Sequence, residues 1–236
     1  ADPFTSPLNR LLAATNSGQN GHSFGPVVGG MASGASQPGG NVLVVDDRPQ
    51  NEGLIGASIS GDINIDVLVS QGCRPVGSPY VVTKCENNEI QQLGGRSAVE
   101  VVQEIAEQLS ERERDLLGGG LLVGLVIDEY KSHFGRDDFL IRNVVGVDQE
   151  AGSISIGDKP RAGQTIQFHL RDAETAREDL SLLLDAQQLQ SKPLAGLLFT
   201  CNGRTQRFFD DSGQDLSMIR ERLGDIPIAG FYAAGE

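Results

Sequence analysis

The chain has 236 residues, 39% of them hydrophobic and 22% charged, with a formal net charge of −13 and a pI near 4.6. This length allows one large domain or two smaller ones, and the acidity weighs against nucleic acid as a partner, because such a surface repels phosphate backbones. No run approaches the roughly 18 consecutive apolar residues of a membrane helix. The three cysteines, Cys73, Cys85 and Cys201, lack CxxC spacing and suit reduced thiols in a cytoplasmic protein.

Residues 16–40 are rich in Gly, Ser and Asn and read as a long loop holding Val27 to Gly34. Asn41–Asp46 and Gly53–Ile59 are short apolar runs suited to strands. Asp62–Gln71 alternates, with Ile63, Ile65, Val67 and Val69 on one face, which predicts a half-buried strand and, with short links, an antiparallel meander. Ser97 and Glu100 have capping-box spacing before a helix whose apolar face carries Val99, Val102, Ile105 and Leu109. Gly120–Ile127 reads as a buried strand, and Phe139–Val147 with Gly152–Ile156 as a hairpin. Gln164–Leu170, Leu194–Thr200 and Ile226–Phe231 read as strands separated by helices over 173–189 and 215–223. The fold class predicted is α/β in the mixed α+β sense. It has an antiparallel-rich N-terminal sheet and a strand–helix–strand C-terminal unit, helices outside, with parts 1–119 and 120–236.

If the last three strands are parallel, their carboxyl ends share the edge where open α/β sheets bind ligands. Arg171-Asp172, Cys201-Asn202-Gly203-Arg204 and the stretch from Tyr232 to Glu236 then meet there. Two guanidiniums and two carboxylates on one rim suit a small zwitterion such as an amino acid. Each has an ordinary alternative: Asp172 as a helix cap, Asn202-Gly203 as a tight turn, Arg171 and Glu236 as surface charges. Gly29 to Gly34 has phosphate-loop glycines, but Ala35-Ser36 replaces the required Lys-[Ser/Thr]. Gly29 and Gly30 either let backbone approach a ligand or make a plain connection. Arg74, between Gly72 and Gly77, either reaches an anion or marks a turn. His22, His133 and His169 have no zinc spacing, so no metal site is expected. A single histidine can ligate haem iron, although a lone histidine is more often plain surface or core. Cys201 beside Arg204 favours thiolate, yet no base is placed for it, and no catalytic residue is assigned.

The stretches 139–148, 168–172, Gly196 to Arg204 and Pro227 to Glu236 resemble the C-terminal part of FIST domains (F-box and intracellular signal transduction). Val28 to Gly34 and Gln71 to Gly77 look like the N-terminal part. Cys-Asn-Gly-Arg and Gly-Phe-Tyr-Ala-Ala-Gly-Glu, in that order, carry most of the specificity. The resemblance implies a non-enzymatic sensory input module that binds a small ligand, for which amino acids have been proposed, and reports to a signalling-protein partner. The family also holds haem-binding gas sensors and, with F-boxes, modules that recruit proteins. Members begin before Ala1 and continue past Glu236, so the resemblance implies a chain clipped at both ends.

Overall fold

The computed structural model describes residues 26–35, 37, 39–204, 206–209 and 213–234. The chain falls into two compact units. One combines the residues up to Leu68 with those from Ser191 onward; the other runs Val69–Gln190. Among the described residues, the first unit holds β1 (Met31–Ala32), β2 (Leu43–Val45) and β3 (Arg48–Gln50). The second supplies β4 (Cys73–Glu86), β5 (Glu89–Leu93), β6 (Arg96–Ser97), α1 (Ala98–Gln108), α2 (Glu111–Leu117), β7 (Leu121–Val126), β8 (Phe139–Asp148), β9 (Ser153–Ile156), β10 (Thr165–Arg171) and α3 (Ala173–Gln188). The first then resumes with β11 (Gly196–Cys201), α4 (Gln206–Phe209), α5 (Gln214–Leu223) and β12 (Ile228–Ala234). The fold is mixed α+β, its largest sheet wholly antiparallel.

That sheet runs β4-β10-β7-β8-β9-β5-β6 and closes on itself, because β4 pairs with β5 as well as with β10. Closure removes the open edges that otherwise invite aggregation. It needs one strand long enough to serve two neighbours. The first part of β4 faces β10, from Cys73 opposite Arg171 to Val81 opposite Thr165. The rest faces β5, from Val82 opposite Leu93 to Glu86 opposite Glu89. Between Val76 and Tyr80 the register slips against β10, and Gly77 sits there at φ +66°, a backbone region open to glycine. A side chain at Gly77 would also stand 3.1 Å from Ile105 of α1. Of the two alternatives the sequence leaves for this stretch, the turn is set aside: Cys73 to Gly77 begin a 14-residue strand, and the glycine marks a bulge.

The core lies on one face of this sheet under α1. Ile166, Phe168 and Leu170 of β10, Val123 and Leu125 of β7, Ile90 and Leu93 of β5 and Ile154 and Ile156 of β9 meet Ala98, Val101 and Ile105 there. The period-two pattern of β10 places His169 on the opposite face, and this is no solvent face: His169 is 2% exposed. Its ring lies edge-on to Phe139, centroids 5.2 Å apart. Gly124 makes the room, since a Cβ there would stand 2.6 Å from the ring's Cε1.

Three further expectations change. First, residues 53–59 and 62–71 form no strand, and Ile63, Ile65, Val67 and Val69 are 40–60% exposed. Alternation predicts a half-buried strand only where a neighbour pairs its backbone, and these residues have no such neighbour among the described ones. Second, Ser97 precedes α1 but makes no capping bond; its Oγ donates to Gly152 O at 3.0 Å. The capping box belongs to Ser110 and Glu113 at the start of α2, the same S-x-x-E spacing one helix later. Third, β10 pairs antiparallel with β4 and β7, so only β11 and β12 of the last three strands are parallel neighbours.

Candidate functional site

The first unit has a three-stranded sheet of order β1-β12-β11. Parallel β11 and β12 point their carboxyl ends the same way, Cys201 standing opposite Ala233. Antiparallel β1 places Ala32 opposite the same Ala233, so three distant segments meet in one row. Gly29 and Gly30 precede Met31, which pairs with Ala234; they thus continue past the carboxyl end of β12. Asn41 tethers this segment: its Oδ1 accepts from Ala35 N at 2.9 Å and its Nδ2 donates to Ala32 O at 3.1 Å. This is the strand-end geometry at which α/β sheets take ligands.

Beyond β11 the chain turns sharply. Asn202 N donates to Ala233 O at 2.7 Å and Arg204 N to Cys201 O at 2.8 Å, while Gly203 N donates to the Cys201 sulfur at 3.4 Å. Asn-Gly suits such a turn, and the turn brings Arg204 back toward the sheet. Its Nε and Nη2 fork onto Asp215 at 3.0 and 2.8 Å. Thr200 Oγ1 donates to the same carboxylate at 2.8 Å, and the Phe209 ring lies under the guanidinium, 5.1 Å to its centroid. The pair is enclosed, Arg204 and Asp215 side chains being 10% and 11% exposed. Arg204 Nη1 is buried and has no acceptor among the described residues. A buried guanidinium N–H without an acceptor costs free energy, on the order of 1–3 kcal/mol, unless something outside the described chain accepts from it.

The sequence-predicted residues thus divide. Gly29, Gly30, Cys201, Asn202, Gly203 and Arg204 come together at one end of the β1-β12-β11 sheet; Glu236 lies outside the described residues. Arg74 and Arg171 belong to the second unit, on paired strands β4 and β10, Arg74 opposite Leu170 and Arg171 opposite Cys73. There Arg74 Nε donates to Asp172 at 2.8 Å, Arg112 Nη2 reaches both Asp172 oxygens at 3.2 Å, and Arg171 Nη2 donates to Asn143 Oδ1 at 3.0 Å. Asp172 also caps α3, accepting from Glu174 N, and accepts from Thr175 Oγ1 at 2.8 Å. Burial alone would raise the Asp172 carboxyl, but bonds from Arg74, Thr175 and Glu174 N, with the charge of Arg112, outweigh it and hold it at about 2. The rim on which Arg171, Asp172 and Arg204 were expected to share one sheet edge is therefore corrected: β10 and β11 belong to different sheets.

Sequence reasoning missed Thr200 and Asp215. Asp215 carries only a helix-start signal, and nothing local says that a carboxylate eleven residues past Arg204 folds back onto it. Of the described histidines, one is buried in the sheet and one lies at the surface. His169 donates Nδ1–H to Gln167 O at 3.0 Å against Gly124, and burial pushes its imidazole down to about 4; exposed His133 is bonded to Ser132 Oγ. His22 lies outside the described residues. Among the described residues no group of three or more His, Cys, Asp or Glu could hold a metal ion, and no helix is long and apolar enough to cross a membrane.

The FIST N domain matches residues 1–96 and the FIST C domain residues 98–236; the chain belongs to the FIST family, whose domains are associated with signal-transduction sensing. The two family segments meet near residue 97, whereas the compact units divide after 68 and 190. Among relatives, "Uncharacterized protein Rv0628c" of Mycobacterium tuberculosis is 42% identical over the whole chain and 61% of its own length. "Uncharacterized protein Mb0898c" of Mycobacterium bovis is 43% identical over the whole chain and 60% of its own length. The chain thus spans about three fifths of the length of these curated relatives. No solved structure matches it.

Proposed function

We propose that this chain is a non-catalytic, cytoplasmic sensory domain that binds a small molecule at the carboxyl ends of β11 and β12, with Arg204 Nη1 as the donor that meets it. The observation that carries this reading is the buried guanidinium, fixed by Asp215 and Phe209, whose Nη1 has no acceptor among the described residues at a strand-end site. The Asn202-Gly203 backbone and the Gly29-Gly30 segment line the same end of the sheet. An amino acid, expected from the sequence, loses part of its basis: the second guanidinium, Arg171, is on another sheet and bonded to Asn143.

A thermal-shift screen of amino acids, small carboxylates and their amides against the chain tests the reading. Binding stabilises by mass action, so a ligand at a hundredfold its dissociation constant adds about 2.7 kcal/mol. The expected hit shifts wild type and not Arg204→Ala. A hit that Arg204→Ala leaves intact refutes this site. A second reading, a partner-recruiting module, is favoured by the exposed Val42, Val44, Leu54, Ile59, Ile63 and Val69 side chains, each 53–60% exposed.

A further inference from the structure

The Arg204–Asp215 pair says more about the ligand than that it accepts a hydrogen bond. We infer that the group received at Arg204 is a neutral carbonyl oxygen, as in a primary amide, and not a carboxylate or phosphate. The inference rests on the binding reading above. Arg204 brings one positive charge and Asp215 cancels it within the same enclosed contact, at 2.8 and 3.0 Å with both side chains about nine-tenths buried. Thr200 Oγ1 adds a donor to the carboxylate but no charge. Among the described residues, Thr200 hydrogen-bonds the pair and Phe209 stacks on it, and both are uncharged. An anion entering here would lose its hydration and meet a guanidinium already neutralised by Asp215, with that carboxylate next to it; burying a charge without a counter-charge is costly. A neutral carbonyl loses far less hydration and still satisfies Nη1. The chain's net charge of −13 adds a long-range bias in the same direction.

Matched acid and amide probes test this: acetate against acetamide, and succinate against succinamide, titrated into the whole chain and followed by amide chemical shifts. The amides are expected to bind wild type at least about tenfold more tightly than the acids, with a dissociation constant that changes little between about 50 and 500 mM salt. Asp215→Asn uncovers the positive charge and is expected to reverse the preference. Acids preferred by wild type, with affinity falling as salt rises, would overturn the inference while leaving the site standing. Probes that perturb nothing, or that perturb Arg204→Ala as they do wild type, would remove the site and the inference with it. If Asp215→Asn does not fold, the acid–amide ratio and salt dependence of wild type decide alone.

Discussion

His169 shows how much of a residue's role depends on what surrounds it. Its imidazole is neutral in the fold down to about pH 4 because burial penalises the charged form, whereas in the unfolded chain it binds a proton near 6.5. Between those values the unfolded state holds the extra proton, so stability falls as pH drops from about 6.5 to about 4, by roughly 3 kcal/mol from this group. An NMR titration of the ring should give a midpoint near 4; a midpoint near 6.5 would mean that the ring is solvated. In the sequence His169 was legible only as the odd member of an alternating strand. The face it occupies became a buried one because Gly124 and Phe139 leave room for a ring, a relation between separate strands that alternation does not encode. Arg204 was legible as a candidate through its place after a buried strand. Its clamp was not, because Asp215 reaches it through tertiary folding alone.

At the scale of elements, local patterns fared according to how local their cause was. α3 begins where Asp172 caps it, and β8 and β9 form the expected hairpin, because caps and short hairpins are set by neighbouring residues. The Ser97 capping pattern went unused because Gly152 O lies within reach of the hydroxyl, and β10 changed partners because parallel pairing depends on the whole sheet. The β11–β12 pairing that builds the candidate site also depends on one close approach: a Cβ on Gly230 would stand 1.8 Å from Leu198 O. Gly230→Ala should therefore cost about 3 kcal/mol or more in urea unfolding. Gly196→Ala on the partner strand, where the nearest atom is Ile228 Cγ1 at 3.6 Å, should cost less than about 1 kcal/mol. Equal losses would contradict the pairing.

For the molecule as a whole, the mixed α+β class and the family were legible because recurring short motifs and strand lengths carry them. The division of the chain was harder to see, since the first unit is assembled from segments on both sides of the second. That discontinuity explains why the candidate site gathers Gly29 and Gly30 with Cys201 to Arg204, residues far apart in sequence, yet excludes Arg171, which is nearer to Cys201 along the chain. The central claim is that a small molecule is received at this end of the β1-β12-β11 sheet. Amide chemical-shift mapping, with the compound that stabilises the chain most in the thermal screen, tests it directly. The account predicts perturbations centred on residues 200–204 and 29–34; perturbations centred instead on Arg74, Asn143 and Arg171 would contradict it.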